Sequence, residues 1–155
     1  MTFFWNALST WLHLLATIVF IGYDFFTGLV YLPIFEKQMD PASLRALLER
    51  ISKRMQPFFG ASILIFLATG AYLMLINKNY AGLGQFFSNP WSSLIVVKHV
   101  LVIVFLALGI YGERAFLPKI GAENPKPLRQ FRLALNVNVI LGALILLLTA
   151  IAQVG

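Results

Sequence analysis

Four stretches of this chain are each long and apolar enough to cross a membrane as a helix. A hydrocarbon layer of roughly 30 Å takes about 20 mostly apolar residues. Residues 3–35 meet that requirement, interrupted by Asn6, His13 and Asp24, and so do residues 58–76. Residues 91–111 carry Lys98 and His99 within an otherwise apolar run, and residues 131–152 carry Asn136 and Asn138 near their start. No basic residue precedes the first run, and the run is too long for the apolar part of a cleaved signal, so it reads as a retained span. Composition agrees. Of 155 residues 59% are hydrophobic and 12% charged, against about 45–50% and about 25% in soluble domains. Such a chain cannot cover a globular surface with polar groups, which excludes a soluble enzyme and a disordered tail. The absence of cysteine excludes a disulfide scaffold, thiolate chemistry and an iron–sulfur cluster.

The net charge of +6 follows the connections between spans. Lys37, Arg45, Arg50, Lys53 and Arg54 lie between the first and second spans, and Arg114, Lys119, Lys126, Arg129 and Arg132 between the third and fourth. Lys78 is the lone cation between the second and third, and neither end of the chain carries Lys or Arg. By the positive-inside rule both basic connections face the cytoplasm and both termini are extracytoplasmic, in a multi-pass protein of the cell (inner) membrane. These charges suit anionic lipid headgroups. No interleaved aromatic platform accompanies them, so nucleic acid is not expected as a partner. Residues 41–55 read as an amphipathic helix, begun by Asp40 as N-cap and Pro41 at its first position. It either lies at the cytoplasmic interface or extends the second span inward. The expected fold is all-α, a single membrane domain built as a four-helix bundle.

Ionisable groups inside a span are costly and mark functional sites by default. His13 lies about 15 Å along its span from the extracytoplasmic end, and His99 about 12 Å along its own. The only two histidines of the chain thus fall at similar depth on different helices, an arrangement that suits two axial imidazoles of haem b. Gly22 and Gly109 are candidate positions for making room beside a macrocycle. Lys98 adjoins His99 and could pair with a propionate, serve as an axial ligand, move protons, or snorkel toward the headgroups. Asp24, Asn136 and Asn138 form a candidate inner polar layer, either a proton or ion path or a set of interhelical hydrogen bonds. Glu113 and Arg114 read as interfacial. Met1, Met39, Met55 and Met74 are scattered and form no ladder for Cu(I). No nucleotide-binding glycine loop, HExxH or EF-hand loop is present, and Ser9, Ser52 and Ser62 have no suggestive His and carboxylate partners.

Short motifs running in order along nearly the whole chain resemble a known group. Trp11-Leu12-His13-Leu14-Leu15, then Gly22 and Tyr31-Leu32-Pro33, look like the first span of the copper-resistance protein D (CopD) superfamily, to which the HemJ-type protoporphyrinogen oxidases are related. Arg54-Met55-Gln56-Pro57, Trp91 with Lys98, and Phe131-Arg132 leading into Asn136 fit the same pattern. The resemblance implies a haem b role for His13 and a functional role for Lys98. Asn136-Val137-Asn138 departs from the HemJ pattern, which has an acid and a proline there, and the ending resembles the broader CopD-like proteins, for which copper handling is proposed. The expectation is therefore a haem b protein of electron transfer or membrane redox chemistry, with His13 and either His99 or Lys98 as ligands and a redox partner or larger complex beside it. The alternatives are a porphyrinogen oxidase with Lys98 at its site, a copper permease using His13 and His99, and a cofactor-free accessory subunit.

Overall fold

A computed structural model describes residues 2–82, 84–85, 87–121 and 123–154. The first span is one irregular helix: α1 (Thr2–Phe26), a π-helical turn (Thr27–Tyr31) and α2 (Leu32–Gln38). The wide turn has a local cause. Pro33 has no N–H to give to the carbonyl four residues back, and its ring crowds that carbonyl. The chain relaxes by one residue, and the Leu32 N–H bonds to the Thr27 carbonyl, five residues back.

The helix α3 (Pro41–Leu75) is continuous through Pro57, so the amphipathic stretch extends the second span rather than lying apart from it. Asp40 caps it as expected, its Oδ1 accepting from the N–H groups of Ala42 and Ser43 at 3.0 and 3.1 Å. Hydrogen bonding by Ser43, then Ala42, holds the exposed Asp40 carboxyl below the usual carboxylate range. With a depressed value in the fold, the cap contributes fully above the ordinary carboxylate range and is lost as pH falls through the depressed value. Helix α4 (Pro90–Ala115) starts by the same device: Asn89 Oδ1 accepts from the Ser92 N–H at 2.8 Å, with Pro90 next. After a short 3-10 turn (Leu117–Lys119), α5 (Lys126–Val154) completes four helices long and apolar enough to span a membrane. Large apolar side chains such as Ile18, Leu64, Leu67, Ile103 and Ile140 are exposed around the bundle. On a soluble protein such a surface would be a liability; on a multi-pass membrane protein it meets lipid.

The helices are not packed evenly. The closest pairs are α4 with α5 and α1 with α3, and α1 also packs on α5. Glycines set these approaches. A Cβ at Gly112 would lie 3.1 Å from Ala134 Cβ, one at Gly142 3.0 Å from Ile21 Cγ2, and one at Gly28 3.3 Å from Leu135 Cβ. Small residues do this work in membrane bundles, where lipid offers no hydrophobic drive toward association. By contrast α3 and α4 share almost no close backbone approach. The α3/α4 seam is therefore closed by side chains rather than by close backbone approach. Between its ends, Phe20, Phe105 and Ile145 form an apolar plug with Phe59, Ile63 and Phe66.

Candidate functional site

The α3/α4 seam carries polar groups at both ends. Toward the end that holds the termini, His13 on α1 faces α3. Its Nδ1 lies 3.0 Å from Thr69 Oγ1, its ring stacks on Phe66 with centroids 4.3 Å apart, and Gly70 leaves it room, since a Cβ there would sit 3.3 Å from His13 Cε1. The Thr69 hydroxyl already donates to the Ile65 carbonyl at 2.6 Å. With that proton committed, the hydroxyl can only accept from His13, so Nδ1 carries the hydrogen and Nε2 keeps its lone pair. His99 on α4 reaches the same state by another route: its Nδ1 lies 2.7 Å from the Ile95 carbonyl, an obligate acceptor, so again Nε2 is left free. Both imidazoles are thus held by one nitrogen and presented by the other, as metal-binding histidines are.

The two sit in different surroundings. His99 is exposed and lines a groove of about 350 Å³ with Met74, Tyr80 and Trp91, a groove to which His13 does not contribute. Among the described residues no hydrogen bond or ring contact joins the two histidines. Lys98, half-buried on α4, makes no hydrogen bond or ion pair among the described residues, and both it and His99 lie within Coulombic range of His13. No group of three His, Asp or Glu side chains is gathered among the described residues. The expected glycine clearings are not shared with the histidines either. Nothing lies within 4 Å of a Cβ at Gly22, and the space at Gly109 is taken by the Asn138 amide, 3.1 Å from where a Cβ would sit.

At the basic-loop end the seam widens into a cavity of about 710 Å³ between α3 and α4, backed by α1 and α5. Part of the expected polar layer is here. Asn138 Nδ2 donates to Asp24 Oδ2 at 2.8 Å and to the Phe105 carbonyl at 3.2 Å. Asn136 is not part of it: two residues along a helix are about 200° apart, and Asn136 faces a separate groove with Gly28, Glu36 and Arg132, where Arg132 pairs with Glu36. Glu113, read from the sequence as interfacial, has partners on two other helices. It accepts from the Tyr23 hydroxyl at 2.9 Å and from Ser52 Oγ at 2.8 Å, tying α1, α3 and α4 together across the cavity. Tyr23 and Ser52 carried no signal of their own in the sequence, and Met74 gained a meaning only when the fold set it beside His99.

A model of a family described as copper resistance protein D matches residues 49–152. The match takes in Ser52, Lys98, His99, Glu113 and Asn138, and leaves His13, Tyr23 and Asp24 outside. None of the curated proteins and none of the solved structures matches the chain.

Proposed function

The chain belongs to the copper resistance protein D family, and on that premise we propose that it is a copper-handling membrane protein whose cargo is held by imidazole at the end of the bundle carrying the termini. With the basic connections cytoplasmic, that end is extracytoplasmic. The observation that carries this reading is the pair of pinned histidines, each with Nδ1–H committed and Nε2 free. Imidazole suits copper, and a thioether favours Cu(I) over harder ions. Cu(I) is thus taken first in the groove of the exposed His99 with Met74 and then by the half-buried His13. A haem b needs a second axial group opposite His13. His99 lines a groove to which His13 does not contribute, and Lys98 is the other candidate; this separation favours copper over a two-imidazole haem.

Lys98 enters this reading as a charge. An ammonium within Coulombic range of His13 opposes a bound cation and so favours its release. Replacing it with leucine, which brings no ligand atom, is expected to tighten Cu(I) binding about tenfold, or about 1.4 kcal/mol, as measured by competition with a Cu(I) chelator. Weaker binding would make Lys98 a ligand instead. The reading as a whole is tested on purified protein in nanodiscs, loaded with Cu(I) and desalted. The expected result is retained copper by elemental analysis and no Soret or α band on reduction. A protein that retains no copper, or one whose reduced spectrum is that of haem, contradicts it.

A further inference from the structure

The cavity at the basic-loop end is separated from the histidines by the Phe20–Phe105–Ile145 plug and is not used by the copper reading. We propose that this cavity is a binding site for an amphiphilic organic cation bearing N–H donors, such as a primary ammonium on an aromatic body. Its volume of about 710 Å³ falls within the range of small-molecule sites, which are mostly apolar with a few fixed polar groups. Phe59 and Phe105 supply aromatic wall, a surface suited to a cation as well as to an apolar body.

At Asp24 and Asn138 the wall offers acceptors without donors. Asn138 is 1% exposed, and its Oδ1 has no hydrogen-bond partner among the described residues. The amide cannot turn to relieve this, because its Nδ2 must face the Phe105 carbonyl, which only accepts. Asp24 uses Oδ2 toward Asn138, and no donor bonds its other oxygen among the described residues. Two neighbouring hydroxyls, Tyr23 and Ser52, give their hydrogens to Glu113, while Thr27 Oγ1, three residues after Asp24, is buried without a partner among the described residues. A buried carbonyl oxygen without a donor is costly, and here it stands beside a carboxylate in a cavity large enough for a ligand. Asp24 and Asn138 both line the cavity, so an ammonium bound against the carboxylate stands next to the residue whose amide oxygen lacks a donor.

The charged groups at the rim do not cancel these acceptors. Lys53 and Arg114 are exposed, and Glu49 is engaged with Arg45. Beside the Ser52–Glu113 bond that joins α3 to α4, Gly60 lines the cavity with nothing within 4 Å of a Cβ, so the wall is thin at that point and access is lateral as well as from the loop end. An amphiphile partitioned into the membrane reaches the site by that route.

The test is calorimetric titration of the full chain in nanodiscs with phenethylammonium and with its neutral counterpart 2-phenylethanol, at neutral pH. Saturable one-site binding of the amine is expected, at least tenfold tighter than the alcohol. Asp24→Asn keeps an acceptor for Asn138 Nδ2 but removes the charge, and is expected to weaken amine binding at least tenfold without changing the thermal midpoint by more than a few degrees. Should that variant not fold, Asn138→Ala carries the same expectation through loss of the unpaired oxygen. Absence of saturable amine binding, equal affinity for amine and alcohol, or unchanged affinity in the folded variant overturns the proposal. None of these outcomes bears on copper, which is read at the other end of the seam.

Discussion

Replacing His13 with alanine is expected to weaken Cu(I) binding at least a hundredfold while leaving the four-span fold in place. The side chain is half-buried, and its removal leaves Thr69 still bonded to the Ile65 carbonyl, so no buried donor is orphaned. What disappears is the free Nε2. A finer variant separates ligation from bulk. Thr69→Val keeps the shape beside the ring but removes the acceptor for Nδ1–H. The imidazole is then no longer held in one tautomer, and loss of such a supporting partner typically costs 10–100-fold in metal affinity. His13→Ala should therefore exceed Thr69→Val, and both should exceed His99→Ala, whose ring is held only by its own helix. Chelator competition on the three purified variants gives the order. An unchanged affinity in His13→Ala removes His13 from the cargo path.

The second large effect is structural. Gly112→Leu is expected to destabilise the bundle by about 1–3 kcal/mol or more, the usual penalty for overpacking a tight contact. A Cβ there meets Ala134 Cβ at 3.1 Å, and α4 with α5 is among the closest helix pairs in the fold. Neither side can yield, since both contacting atoms sit directly on helix backbone. Gly22→Leu is the control: a Cβ at that position has nothing within 4 Å, and its midpoint should stay within a few tenths of a kcal/mol of the parent. Thermal or SDS-induced unfolding in detergent reads both. Equal destabilisation of the two variants would mean that helix propensity or insertion, rather than the α4/α5 contact, governs stability.

Much of this architecture is legible in the chain because the bilayer imposes a length. The four spans and the Pro-led helix start at Asp40 follow from apolar run length and capping chemistry. Rotation about each helix axis does not follow. In a soluble helix the polar face tells which side is buried, but in a span both the lipid face and the core face are apolar. Only isolated polar residues report direction. Asp24 and Asn138 do so, and they meet at 2.8 Å. Asn136 sits two residues from Asn138 and points elsewhere. Glu113 lay at the end of a span, where an acid is ordinary, and its partners Tyr23 and Ser52 are 90 and 61 residues away in sequence. His13 and His99 were matched in depth, as their positions along the helices require. Depth leaves the facing angle free, and the fold uses that freedom to send them to different neighbours.

The claim at the centre of this account is that imidazole nitrogen holds copper at the termini end of the bundle. X-ray absorption at the copper edge, on Cu(I)-loaded protein in nanodiscs beside His13→Ala and His99→Ala, tests it most directly. The account predicts imidazole scattering in the parent, a sulfur contribution that disappears in Met74→Leu, and loss of most imidazole signal when both histidines are removed. A copper site without imidazole scattering, or one unaltered in the double variant, would contradict it.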